Sequence, residues 1–136
     1  GHTDLLRKYF NKEAIMMLGC EKMYVALFTE HIPLKDVASF VTKDRLKFFL
    51  LDLHKSLGDK KIAVLGLNPH AGDNGVLGDE EREIDASIKE ANSIIGKDIF
   101  TGSLVPDIAF APNNRKNFNY FVAMYHDQGL APLKTL

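Results

Sequence analysis

Apolar segments of strand length alternate along this chain with segments of helical character, and this alternation constrains the fold most. The apolar pattern predicts strands over residues 14–18, 23–28, 61–67, 99–105 and 119–125. Capping signals and helical spacing predict helices over residues 3–12, 35–41, 42–57 and 79–95. Strands that alternate with helices predict a layered α/β fold in which at least some strands pair in parallel.

Composition narrows the class of protein. The 136 residues are one domain by length, and 46% hydrophobic and 26% charged residues are ordinary globular values. A net charge of -1 argues against a polycation that binds nucleic acid or anionic membranes. No apolar run approaches the roughly 18 residues of a membrane span. The single cysteine, Cys20, excludes an internal disulfide and a cysteine-based zinc site, and it fits a reducing cytoplasm.

The two ends of the sequence are abrupt. The chain opens at Gly1-His2-Thr3 without a methionine, and it stops at Leu136 without a polar tail. We therefore expect the 136 residues to be one domain of a longer polypeptide.

Three histidines are the candidate metal ligands. His70 follows the strand predicted at 61–67, His126 stands at the end of the strand predicted at 119–125, and His2 lies in a turn. Ligand sites of open α/β sheets gather outside the carboxyl ends of strands. Three imidazoles with an open coordination position are a catalytic metal pattern. Without a short motif such as His-Glu-x-x-His, the spacing alone favours loop histidines that bond locally over a metal site.

Other polar residues near these junctions also allow two interpretations. Asp107 and Asp127 could orient an imidazole or accept a proton, or they could serve as a helix cap and an Asx turn respectively. Lys134 lies near the end of the sequence, where a lone lysine is usually solvated. Three glycines in the His70 loop permit positive φ and close approach to a ligand, or mark only a turn: Gly72, Gly75 and Gly78.

Four strings in order carry a family resemblance. They are Gly1-His2-Thr3, the 66–72 string Gly-Leu-Asn-Pro-His-Ala-Gly, the 104–107 string Leu-Val-Pro-Asp, and the 124–130 string Met-Tyr-His-Asp-Gln-Gly-Leu. Together they resemble the 4-hydroxythreonine-4-phosphate dehydrogenase family. The resemblance runs from end to end of the chain and covers the middle to later part of a longer family sequence. One departure is Asp73, where many relatives have glutamate.

The resemblance implies the fold and the site. It implies a two-domain α/β enzyme like isocitrate and isopropylmalate dehydrogenases, with the active site in a cleft at a homodimer interface. His2, His70 and His126 match the metal ligands, which come from both subunits. Asp107 and Asp127 match catalytic carboxylates near the metal, and Lys134 matches a lysine that binds the substrate phosphate. Residues that bind the nicotinamide cofactor are not assigned.

The resemblance also implies the reaction. A divalent metal (Zn, Mg or Co) and NAD or NADP would support oxidation of 4-phosphooxy-L-threonine, followed by decarboxylation to 3-amino-2-oxopropyl phosphate in pyridoxal 5'-phosphate synthesis. We expect this chain by itself to be inactive, since flanking segments supply further contacts. A metal-dependent hydrolase using the same histidines and a non-catalytic dimerisation domain are the two alternatives.

Overall fold

A computed structural model of the chain describes residues 6–10, 15–20 and 22–135, and its centre is a six-stranded sheet. The spatial order is β1-β2-β3-β6-β4-β5. Strands β3, β6, β4 and β5 run parallel, whereas β2 is antiparallel to both of its neighbours. The bounds are β1 (Leu6–Phe10), β2 (Ile15–Cys20), β3 (Met23–Leu27), β4 (Ile62–Leu65), β5 (Phe100–Leu104) and β6 (Tyr120–Ala123). The predicted layered α/β class is confirmed.

The described residues include six helices, which flank the sheet. The second helix follows the predicted apolar spacing, since its Leu46, Leu50 and Leu53 are fully buried. The third helix ends at Gly96, whose φ of 84° is the left-handed conformation typical of a helix C-terminus. The bounds are α1 (Leu34–Phe40), α2 (Lys43–Leu57), α3 (Glu80–Ile95), α4 (Pro106–Ala109), α5 (Pro112–Asn117) and α6 (His126–Leu133).

The hydrophobic core lies on both faces of the sheet. Ile62 and Val64 of β4 pack in the cluster on the side of α2 and α3, whereas Ala63 and Leu65 pack in the cluster on the side of α4 and α6. Because helices cover both faces, all four β4 residues are buried. The continuous apolar run of this strand follows directly from that double burial.

Two predicted elements are wrong. Residues 6–10 form a strand rather than part of a helix, because they pair in antiparallel register with β2 from Leu6↔Gly19 to Phe10↔Ile15. This pairing satisfies backbone hydrogen-bonding groups at the edge of β2. The stabilisation from these inter-strand hydrogen bonds exceeds the local preference of residues 6–10 for a helix. The proposed cap at residues 3–4 lies outside the described residues. The predicted loop at 126–129 is the first turn of α6.

The remaining strands and helices agree with the predictions to within a few residues. The short helices α4 and α5 were not predicted, and each begins with a proline at its first position, where the missing N–H carries no cost. Within the described residues, no helix has both the length and the apolar character needed to cross a lipid bilayer.

Candidate functional site

The candidate site lies at one edge of the sheet, where the parallel strands end. His70 follows β4, His126 follows β6 and Asp107 follows β5. Because these three strands are parallel, their carboxyl ends lie at the same edge. β4 and β6 are direct neighbours, so the two histidines follow adjacent strands. The structure thus confirms the predicted position of both histidines at strand ends.

The connections after β4 and β6 leave toward opposite faces of the sheet, and the crevice is defined here as the space between these two diverging connections. The chain after β4 leads to α3, whose Ile84 packs in the cluster shared with α2. The chain after β6 enters α6 directly, and Leu130 of α6 packs in the other cluster. In doubly wound α/β proteins, ligands bind where adjacent connections diverge in this way.

His126 is held by a neighbouring carboxylate. It opens α6, its side chain is 44% exposed, and its Nδ1 lies 2.8 Å from Oδ1 of Asp127. A proton on Nδ1 that is donated to Asp127 leaves the Nε2 lone pair free for another partner. The Asp127 side chain therefore bonds to the imidazole ring, as one of the two interpretations predicts, and not to the backbone of an Asx turn.

A cavity of about 190 Å³ adjoins His126. It combines polar groups from the segment after β3 with apolar groups from α1 and its approach. Its lining comprises Thr29, Glu30, Ile32, Leu34, Val37, Tyr125, His126 and Asp127. The cavity therefore places open space next to His126, between α1 and the segment after β3.

The loop that carries His70 has an unusual backbone. His70 is exposed within a 3-10 turn over Pro69–Gly72, and its φ of 54° lies in the left-handed region. Ala71, Asp73 and Asn74 also have positive φ. Such conformations cost non-glycine residues about 1–2 kcal/mol each, so the surrounding structure must hold them. The three loop glycines also have positive φ, as their spacing allowed.

Glu81 supplies that support. Glu81 is 6% exposed, and its Oε2 accepts hydrogen bonds from the backbone N–H groups of Leu67 at 2.6 Å and Asn68 at 2.9 Å. Its Oε1 accepts a third bond from Asn68 Nδ2 at 2.8 Å. Acidic residues in the first turn of a helix are favoured by the helix dipole. For Glu81, the main role is to anchor the loop that presents His70.

Gln128 joins the two histidine-bearing strand ends. Its Oε1 accepts a hydrogen bond from the N–H of Met124 at 2.7 Å, and its Nε2 donates to the carbonyl of Gly66 at 2.8 Å. Sequence reasoning singled out neither Gln128 nor Glu81. The signal available for Gln128 is its place in the first turn of α6, where glutamine side chains often bond back to the backbone.

The two other described candidates, Asp107 and Lys134, are both exposed. Asp107 is exposed in the first turn of α4, a helix that contacts the Pro69–Gly72 turn. Val105 occupies the N-cap of α4, so the capping alternative for Asp107 is wrong. Lys134 is exposed just after α6, and eight residues at 1.5 Å each place it about 12 Å along the helix from His126.

His2 lies outside the described residues. In the described part of the chain, no group of three or more His, Cys, Asp or Glu side chains has an arrangement that could hold a metal ion. His70 and His126 are therefore the two predicted ligands whose positions the structure describes.

The family model and the curated relatives that match this chain agree on one protein family. The family model described as pyridoxal phosphate biosynthetic protein PdxA matches residues 1–136. The chain is similar to 4-hydroxythreonine-4-phosphate dehydrogenases from Sulfurimonas denitrificans (64% identity over 136 residues) and Campylobacter fetus (54% over 137). The alignments include 100% of this chain but only 44% and 45% of those relatives. The chain thus spans less than half the length of these proteins.

Solved structures share the fold. A 4-hydroxythreonine-4-phosphate dehydrogenase from Klebsiella pneumoniae aligns with a TM-score of 0.76 and 35% identity over 89% of this chain and 38% of its own. The Burkholderia phymatum structure of the same name aligns with a TM-score of 0.74 and 32% identity, with the same coverage. A terephthalate 1,2-cis-dihydrodiol dehydrogenase from Burkholderia xenovorans, at 20% identity and a TM-score of 0.72, shares the fold alone. The expected isocitrate/isopropylmalate dehydrogenase-like architecture agrees with these neighbours.

Proposed function

This chain belongs to the PdxA family of pyridoxal phosphate biosynthetic proteins, and from that premise we propose that the complete enzyme containing it is a metal-dependent, NAD(P)-linked dehydrogenase of 4-phosphooxy-L-threonine. The observation that carries the proposal is the position of His70 and His126 after neighbouring parallel strands, on either side of one crevice. Because the chain spans 44% of the Sulfurimonas relative, the activity is proposed for the complete enzyme.

The donor atoms fit a divalent metal. An imidazole whose second nitrogen bonds a carboxylate is a common metal-binding arrangement, and the His126–Asp127 pair has it. His70 is exposed at the same sheet edge, and His2 is the proposed third ligand. Imidazole nitrogen suits Zn²⁺ and similar transition metals better than Mg²⁺, so of the three expected metals this donor set favours Zn²⁺ or Co²⁺.

The proposed reaction oxidises the secondary alcohol of the substrate, and the resulting β-keto acid loses carbon dioxide to give 3-amino-2-oxopropyl phosphate. When bound, a divalent cation would stabilise negative charge developing on a substrate oxygen, and the nicotinamide would take up the hydride. In this proposal Asp127 keeps the His126 proton at Nδ1. Asp107, exposed at the same edge, accepts the hydroxyl proton or holds the substrate ammonium.

Lys134 is the proposed phosphate ligand. Its ammonium is a compact charge suited to a phosphate dianion, and buried Leu133 fixes the backbone beside it. Since Lys134 lies about two helical turns from His126, the substrate would extend along α6 from metal to phosphate.

We also propose that the enzyme is a cytoplasmic homodimer whose site is shared between subunits and that it uses NAD or NADP. This assembly would let His2, His70 and His126 of different subunits share one metal. Light scattering of the complete enzyme at micromolar concentration should show a dimer, and a monomer alone would contradict the shared site.

One experiment separates the candidate functions. The complete enzyme is incubated with Zn²⁺ or Co²⁺, 4-phosphooxy-L-threonine and NAD or NADP, and reduced nicotinamide and carbon dioxide are measured. The proposal expects both products in equal amounts. Release of inorganic phosphate without cofactor reduction would instead indicate the hydrolase, and the absence of both turnover and metal binding would indicate a non-catalytic domain.

A further inference from the structure

We propose that Gln128 is a positioning residue that sets the spacing between the two histidine-bearing strand ends. This inference rests on the proposed function, because it concerns the same metal site. It starts from the ladder between β4 and β6, whose last pairs are Ala63↔Phe121 and Val64↔Val122. Continued by two residues, that register would bring Gly66 opposite Met124.

The side chain of Gln128 stands between those two residues. Its amide oxygen accepts from the N–H of Met124 at 2.7 Å, and its amide nitrogen donates to the carbonyl of Gly66 at 2.8 Å. The side-chain amide of Gln128 thus links Met124 and Gly66 through two hydrogen bonds, in place of a direct backbone hydrogen bond between the two strands. It holds the strands apart by the width of one amide group while still linking them.

The remaining backbone group of each of these two residues is also hydrogen-bonded. The carbonyl of Met124 accepts from Thr29 Oγ1 at 2.6 Å, in a buried hydrogen bond to the segment after β3. The N–H of Gly66 donates to the carbonyl of Leu104 at 2.9 Å. Four neighbouring strand ends are thereby joined in series, and Gln128 is the link that crosses the crevice.

The chemistry of this link selects glutamine. The position requires one donor and one acceptor at the end of a side chain long enough to reach from α6. An ionised glutamate keeps the acceptor and loses the donor, and methionine has a similar length but no donor. His126 comes two residues after Met124, and His70 comes four residues after Gly66. A change in the width of the crevice therefore moves one imidazole relative to the other.

Gln128→Met in the complete enzyme tests this role. Residues that orient metal ligands typically change metal affinity or activity by about 10- to 100-fold when mutated. We expect a loss of that size in Co²⁺ affinity, measured by titration, and a shift in the visible Co²⁺ absorption bands, which report ligand geometry. We expect kcat to fall by a similar factor with a smaller change in the KM for 4-phosphooxy-L-threonine.

Two further variants complete the test. Gln128→Glu keeps the acceptor for the Met124 N–H but sets a carboxylate oxygen against the carbonyl of Gly66, so it should also lose Co²⁺ affinity and shift the Co²⁺ spectrum. Asn113→Asp makes the same amide-to-carboxylate change at an exposed position of α5 and should leave affinity, spectrum and turnover as in the wild type. Melting temperatures are measured for all variants, because lost stability alone would not move the Co²⁺ spectrum of the folded protein.

The outcomes separate this inference from the proposed function. Unchanged Co²⁺ affinity and spectrum in Gln128→Met, with or without a lower melting temperature, would overturn the positioning role, as would a failure of both variants to fold. A wild-type enzyme that binds Co²⁺ but does not oxidise 4-phosphooxy-L-threonine would overturn the proposed function and leave the Gln128 effect on Co²⁺ to be measured. A wild-type enzyme that binds no Co²⁺ would overturn both.

Discussion

Removing the Glu81 carboxylate should destabilise the protein far more than removing an acidic residue next to it. Glu81 is almost fully buried and accepts three hydrogen bonds from the Leu67–Asn68 segment. In Glu81→Ala the two backbone N–H groups lose their acceptor, at a cost of about 1–3 kcal/mol each, and water entering the space restores part of that loss. We expect the free energy of unfolding to fall by roughly 2–4 kcal/mol.

Glu83→Ala is the matched control. Glu83 lies in the first turn of the same helix, so its interaction with the helix dipole is similar, but its side chain is exposed. Its loss should change the free energy of unfolding by no more than about 0.5 kcal/mol. Glu81→Gln, which keeps the volume and one acceptor oxygen, should fall between the two.

Urea unfolding followed by circular dichroism measures these differences. With a slope of about 1–3 kcal/mol/M, a loss of 3 kcal/mol moves the midpoint by about 1–3 M, well beyond the error of the method. The slope itself should stay constant if only the native state is affected. A Glu81→Ala midpoint equal to that of Glu83→Ala would refute the reasoning, because it would mean that the three bonds add nothing beyond the helix dipole.

Three further predictions concern packing, charge and substrate. Gly129→Ala should lower the melting temperature by an amount equivalent to about 1–3 kcal/mol, because the added Cβ would lie 2.7 Å from Cγ1 of Val25 and displace α6. The Lys97 ammonium, assisted by a neighbouring imidazole, holds the pKa of Asp59 below its ordinary value near 3.8. The ionised Asp59–Lys97 pair therefore stabilises the fold above pH 3.8, and this stabilisation is lost as the pH falls through the lowered pKa of Asp59 in the folded protein. The urea midpoint of Asp59→Asn should be below that of the wild type at pH 7, and the two midpoints should converge in acid. In the complete enzyme, Lys134→Ala should lose about 10- to 150-fold in apparent substrate affinity, because a charged contact contributes about 1.5–3 kcal/mol. Metal binding should not change. An unchanged KM and kcat would show that the substrate phosphate is bound elsewhere.

The sequence predicts those parts of the fold whose signals are local. The apolar runs that contain β4 and β6 are strong, and the turn residues after β4 mark where that strand ends, so His70 and His126 could be placed at strand ends. Parallel pairing of neighbouring strands then brings both histidines to one edge. The close match of α2 to its prediction has the same origin, since its buried residues recur with helical spacing.

The features that the sequence did not predict depend on partners far along the chain. The string His126-Asp127-Gln128-Gly129 has the composition of a turn, yet it forms a helix. Gln128 bonds to a residue 62 positions away, and Gly129 lets the helix pack closely on β3. Glu81 likewise bonds to residues 13 and 14 positions before it. No local pattern distinguishes it from the other acidic residues at the start of α3.

The position of β1 has a similar cause. The predicted cap at residues 3–4 and the apolar spacing that follows it favour a helix. The observed pairing from Leu6↔Gly19 to Phe10↔Ile15 instead requires the neighbouring strand β2. Strand preference depends on such pairing more strongly than helix preference depends on tertiary contacts. A single sequence therefore predicts the edge of this sheet less well than its centre.

Metal-dependent turnover in His70→Ala and His126→Ala tests most directly whether the two strand ends form one metal site. Each variant is made in the complete enzyme, and Zn²⁺ or Co²⁺ content, NAD(P)H formation and circular dichroism are measured beside the wild type. His70 is exposed and the His126 side chain is 44% exposed, so neither truncation opens a large cavity and both variants should fold. We expect both to lose bound metal and metal-dependent oxidation of 4-phosphooxy-L-threonine. Near-normal metal content and turnover in either folded variant would contradict a shared site at these two strand ends.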